Sequence, residues 1–230
     1  MKKVAIFVEG YTEFYFLERL IAELADWGKV SLELAKQHAG RLILLNTTGA
    51  PQETALIHVL LVNCCGDGSV KSFILERKTR LAEQGYTHVL GLQDLYPKQH
   101  HDLEKFKSMI SKGLDDENID IKMCIAVAEI EAWFLGELTH YARIDPQLSH
   151  EIIIEKLNFD PVNSDIELEV RHPSKLLDKV YNIAGLSYSK RESEVKRVIS
   201  SLNYEELYTT TRDKSKSLNN LLENLDYYLS

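Results

Sequence analysis

Residues 1–21 read MKKVAIFVEGYTEFYFLERLI, and the fold class turns on this stretch. Val4 to Val8 carry Val, Ile and Phe with little alternation, the pattern of a strand buried on both faces, as in a parallel sheet. Gly10 breaks the strand. From Thr12 to about Trp27, Phe14, Phe16, Leu17, Leu20, Ile21 and Leu24 recur at helical spacing, with Thr12 as the expected N-cap. A strand running through Glu-Gly into a helix predicts the first step of a β-α-β series. It also leaves a carboxylate, Glu9, where a buried strand ends, with Glu13 four residues later.

The same texture continues outward. Strands are expected at Arg41 to Asn46, Ala55 to Asn63, Thr87 to Leu92 and Asp120 to Val127. Helices are expected at Ser69 to Gln84 and Lys98 to Lys112, and from about Glu129, with the glycines of CCGDG marking a loop. The alternation predicts an α/β domain over residues 1–140, with a mostly parallel, Rossmann-like sheet flanked by helices. Beyond Asp145, Pro146, Pro161 and Pro173 separate short segments. Helices follow at Ser174 to Asn182, Ser189 to Ser201 and Lys214 to Leu229, so residues 141–230 read as a helical C-terminal region packed on the first.

Composition narrows the function classes. With 44% hydrophobic and 27% charged residues, the chain has the profile of a folded globular protein. Its longest apolar run, ALIHVLLV, is too short to span a bilayer, and the expectation is a cytoplasmic protein with no membrane partner. Three cysteines without a Cys-x-x-Cys pair read as buried free thiols. A net charge of −8 argues against a nonspecific nucleic-acid coat, although carboxylates that hold a metal reverse the local field. The loop CCGDGS lacks the Gly-Lys-Ser/Thr ending of a phosphate-binding loop.

In an open α/β sheet, ligands bind at the carboxyl ends of strands, where Glu9, Asp94 and the Glu129/Glu131 pair are expected. Hard cations such as Mg²⁺ take oxygen ligands. Tyr181, Tyr188, Tyr204 and Tyr208 interleave with Lys190, Arg191, Lys196 and Arg197, the composition of a stacking and phosphate-contacting surface.

The order FVEGYTE, VLGLQDLYP, AEIEAWFLGEL resembles the TOPRIM fold, in particular overcoming-lysogenization-defect nucleases and small TOPRIM-like proteins of undefined function that accompany ATPases. YSKRE near Ser189 is a weaker echo. The resemblance implies a Mg²⁺- or Mn²⁺-dependent nuclease acting on RNA or DNA in a phage-defence setting, with an ABC- or SMC-like ATPase partner; a homodimer is a separate expectation. It makes Glu9 a metal ligand or general acid/base, Glu13 a supporting ligand, Asp94 a metal ligand and Glu131 a second-metal ligand. Lys190 becomes the cation that neutralises charge on the transferring phosphate. Tyr96 stands where the family has the second Asp of its Asp-x-Asp pair, so that ligand is either missing or supplied by Asp102 or Glu129. The competing expectation is a scaffold or regulatory subunit that lost catalysis with that Asp, docking through its C-terminal helices.

Overall fold

The structure is a computed structural model that describes residues 1–66 and 70–230. Part of the loop expected at CCGDG, and the expected helix start at Ser69, lie outside the described residues. The chain divides into two compact units, each assembled from separated stretches. The first comprises Met1–Gln93, Glu104–Ile125 and Asn224–Ser230; the second comprises Asp94–Leu103 and Ala126–Glu223.

A six-stranded sheet runs through the first unit in the order β3-β2-β4-β1-β5-β6, formed by β1 (Lys2–Val8), β2 (Val30–His38), β3 (Arg41–Gly49), β4 (Ile57–Asn63), β5 (His88–Asp94) and β6 (Asp120–Ala126). β1 pairs in parallel with β4 and β5, and β2 with β4; β3 turns back antiparallel on β2 at the edge. Helices α1 (Tyr11–Leu24), α2 (Val70–Glu83) and α3 (Leu103–Ser111) connect the parallel strands. The architecture is thus α/β, with a mostly parallel sheet flanked by helices. β1 and β4 are apolar along their length because both of their faces are covered.

One face of the sheet packs Ala5, Phe7, Leu60, Val62 and Val89 against Val70, Ile74 and Leu81 of α2. Alternation turns Val4, Ile6 and Val8 to the other face, where they are fully buried. Gly91 in β5 faces α2: a Cβ there would lie 2.3 Å from Met123 Sδ and 3.0 Å from Ile74 Cδ1, so the strand passes only without a side chain. β3 differs from its neighbours, with eight of its nine residues exposed, Leu42, Ile43, Leu44 and Leu45 among them.

The second unit is helical. It holds α4 (Glu131–Gly136), α5 (His140–Ile144), α6 (His150–Leu157), α7 (Ile166–Glu169), α8 (Pro173–Asn182), α9 (Glu192–Ser201), α10 (Tyr204–Glu206), α11 (Arg212–Lys214) and, up to Glu223, α12 (Lys216–Leu229). Trp133, Phe134, Tyr141 and Tyr181 are its largest fully buried side chains. Among the described residues, no helix is long and apolar enough to cross a membrane.

Candidate functional site

Register places the strand-end acids. Val8 pairs with Asn63 and with Leu92, so Glu9 leaves the sheet at the carboxyl ends of three parallel strands, and Asp94 is the last residue of β5. Glu13 has a local task. Its Oε2 accepts the Gly10 N–H at 2.9 Å, closing the turn that opens α1. Gly10, not Thr12, is therefore the N-cap, and a Cβ on it would come within 3.2 Å of that oxygen. Glu9 and Glu13 are both buried. Beside them, burial pushes the Cys64 thiol up to about 12, with the neighbouring Cys65 and Glu9 adding to the shift. Such a thiol stays protonated and unreactive.

In the second unit, Asp94 Oδ1 accepts the Ile130 N–H at 3.1 Å, which fixes the carboxylate against the start of α4. Tyr96 is 41% exposed and meets the His172 ring edge-on at 5.4 Å. Asp102 accepts the Gln99 N–H at 3.3 Å within its own turn.

The other predicted site residues of this unit converge. Lys190 Nζ lies 3.1 Å from Glu129 Oε1 and 3.1 Å from Glu131 Oε1. Tyr188 donates its hydroxyl to the same Glu131 oxygen at 2.8 Å. Ser174 caps Glu129, its N–H at 2.9 Å from Oε2 and its hydroxyl at 2.9 and 2.8 Å from the two oxygens. Glu131 Oε2 is buried with no hydrogen-bond partner. Burial pushes the Glu131 carboxyl above its ordinary value, against the pull of Lys190. Burial acts on Glu129 the same way, but Lys190 and Ser174 outweigh it and hold that carboxyl below its ordinary value.

Backbone strain aims both partners. Ala128, just before Glu129, and Lys190 are non-glycine residues in the left-handed region, at φ 66° and 60°. The Lys190 turn is held by Glu194, which sequence reasoning missed. Its carboxylate accepts Ser189 N–H at 2.6 Å, Ser187 Oγ–H at 2.8 Å, Ser189 Oγ–H at 2.9 Å and Arg191 N–H at 3.4 Å. These bonds, the Ser189 N–H foremost, hold its pKa at about 2. The only sequence signal was an acidic pair, Glu192 and Glu194, in the first turn of a helix. Changing Glu194 to Gln removes a charge that several donors share, and stability at pH 7 falls by about 1–2 kcal/mol. Because the folded pKa is depressed, this contribution is present above the ordinary carboxylate pKa and lost as pH falls toward 2. Urea denaturation at pH 7 and pH 3 checks both the size and the narrowing difference.

Lys190 also lines an open groove of about 430 Å³, together with Ser174, Lys175, Asp178, Lys179, Tyr188 and Ser189. The remaining basic candidates are engaged elsewhere. Lys196 pairs with Glu192 at 2.7 Å on the surface, Arg197 donates to the Ser187 carbonyl, and Arg191 N–H belongs to the Glu194 turn. Tyr181, Tyr188 and Tyr204 are buried, so the expected stacking surface is not formed from them; their hydroxyls bond to His140, Glu131 and the Ile199 carbonyl.

The donor sets differ in their fit to a divalent cation. Around Lys190 they do not fit one, since the ammonium already supplies the positive charge to Glu129 and Glu131, and Glu129 is saturated by Ser174. Glu9 and Glu13 in the first unit, and Asp94 in the second, each offer carboxylate oxygens of the kind a hard cation takes. Among the described residues, no group of three or more His, Cys, Asp or Glu side chains is placed to hold a metal ion. No protein-family model, curated protein or solved structure matches the chain.

Proposed function

We propose that the chain is a TOPRIM-like, Mg²⁺- or Mn²⁺-dependent nuclease that hydrolyses phosphodiester bonds of RNA or DNA. The observation that carries this reading is Lys190: a strained, doubly paired cation lining an open groove that also presents Lys175 and Lys179. A cation held in place beforehand stabilises charge developing on a phosphoryl oxygen without reorganising when the charge appears. Glu129 and Glu131 position that cation, and Tyr188 and Ser174 position the carboxylates. On the resemblance, Glu9 with Glu13 in support, and Asp94, are the candidate ligands of the divalent ion, which when bound polarises the phosphate and lowers the pKa of a water. The defence setting and the ABC- or SMC-like ATPase partner belong to the same proposal, on the resemblance in FVEGYTE, VLGLQDLYP and AEIEAWFLGEL.

The second reading, a binding or regulatory subunit without catalysis, is favoured by Tyr96 at the second Asp position and by the cation already bound to the Glu129/Glu131 pair. One experiment separates the two. Purified protein is incubated with total RNA and with plasmid DNA, in Mg²⁺ or Mn²⁺ and in chelator, alone and with any ATPase encoded beside it. The nuclease reading expects metal-dependent cleavage that Glu9→Gln and Asp94→Asn each reduce by about 100-fold or more. Absence of cleavage under every condition, with no heat of Mg²⁺ or Mn²⁺ binding by calorimetry, establishes the binding subunit instead.

A further inference from the structure

The first unit carries a second groove, of about 370 Å³, between α2 and the β2–β3 hairpin. One wall is α2, where Arg77 and Arg80 follow each other by one turn; the other is the hairpin, with Arg41 and Leu42. Leu60 and Leu81 close the floor. Arg77 is pinned: it donates to Gln37 Oε1 at 2.8 Å and to the Gly40 carbonyl at 3.2 Å, pairs with Glu76 at 3.0 Å, and stacks over Phe73 at 5.2 Å. It fixes the hairpin against the helix. Arg41 and Arg80 are exposed, and their guanidinium groups make no hydrogen bond or ion pair among the described residues.

Two unengaged guanidinium groups on the rim of a groove, beside a third that is held rigid, stand out in a chain of net charge −8. Three arginines against one carboxylate, Glu76, leave the groove positive. Arginine forks match the oxygens of a phosphate in bidentate fashion, and Leu42 offers a partly exposed apolar surface between them. The volume is at the lower end of small-ligand sites, the scale of a single nucleotide.

We propose that this groove binds a nucleotide, with Arg41 and Arg80 taking the phosphate and the Leu42 side receiving the ring system. The nucleotide is either free or a unit of a single strand; both present the same phosphate, and the test tells them apart. The proposal stands independently of the nuclease reading, because binding here needs neither a divalent ion nor Glu9 and Asp94.

The test is isothermal titration in chelator, which prevents any metal-dependent cleavage, with AMP, adenosine and a single-stranded hexanucleotide. The proteins are wild type, the Arg41→Ala/Arg80→Ala double variant and the corresponding double lysine variant. Neither guanidinium group has a hydrogen-bond or ion-pair partner among the described residues, so the melting temperature should be unchanged in both variants. Saturable AMP binding that weakens by about tenfold or more in the alanine variant, and less in the lysine variant, assigns the groove to a free nucleotide. Hexanucleotide binding with the same losses, and no AMP binding, assigns it to a nucleotide within a strand. Adenosine binding as well as AMP, binding indifferent to the double alanine substitution, or no saturable heat with any probe overturns the proposal.

Discussion

Replacing Trp133 with alanine lowers the unfolding free energy by about 4 kcal/mol, the largest single effect expected in the second unit. The indole is fully buried on α4, and its Nε1–H donates to Ser217 Oγ at 2.8 Å and to Glu167 Oε1 at 3.3 Å. Ser217 donates in turn to Glu167 and accepts the Val127 N–H at 3.3 Å. Truncation therefore opens a cavity and strips a donor from the half-buried Glu167 carboxylate in one step. Trp133→Phe separates the two contributions: it keeps most of the packing and loses only the hydrogen bonds, at about 1–2 kcal/mol. Urea denaturation reads both, as midpoint shifts at constant slope. A loss under 1 kcal/mol for alanine would show that this ring does not carry the core.

Lys190→Met is the second large effect, a loss of about 2–3 kcal/mol at pH 8. Removing one member of a buried ion pair leaves its partner charged and uncompensated, and here one ammonium serves two carboxylates. The loss falls short of that of a fully buried pair because the lysine side chain is 39% exposed and solvent screens it. The pH dependence has a definite sign. Glu129, depressed in the wild type, contributes stability above the ordinary carboxylate pKa that is lost as pH falls through its lowered value. Glu131, raised by burial, keeps its proton where the unfolded chain has lost it, and so costs stability as pH rises through its raised value. Without Lys190 both carboxyls move up, and a protonated carboxyl needs no cation. The deficit is thus widest at alkaline pH and narrows on acidification. Denaturation at pH 8 and pH 5 measures it, and adding Glu131→Gln recovers part of the loss in a double-mutant cycle. A deficit that does not change with pH would mean the lysine acts through packing alone.

These effects fall where the sequence was least informative. β1 and β4 were legible because two covered faces demand an unbroken apolar run. β2 was missed because buried Ser31 and Gln37 break its apolar pattern. The short helices between residues 140 and 170 passed unread, since four to eight residues hold too few turns for a helical period to register. Helix α1 stops at Leu24, short of Trp27, where Asp26 takes the Gly28 N–H into a turn. At the candidate site, residue types pointed to Glu129, Glu131 and Lys190. No local pattern tells that Lys190 reaches back some sixty residues to both acids, or that Ser174, Tyr188 and Glu194 fix them. The tyrosines misled for a related reason: a ring with a hydroxyl suits an exposed stacking surface and a satisfied interior equally well.

The threading of the first unit bears on how the protein is made. Residues Asn224–Ser230 belong with the sheet, where Tyr228 donates to Asp120 Oδ2 at 3.2 Å, Asn224 donates to Cys124 Sγ at 3.6 Å, and Lys2 donates to the Tyr227 carbonyl at 3.0 Å. During synthesis, every residue of the helical unit leaves the ribosome before these contacts can form. The α/β unit, although begun first, is the last to be completed, and a ribosome stalled before residue 224 holds a sheet whose final cover has yet to be translated.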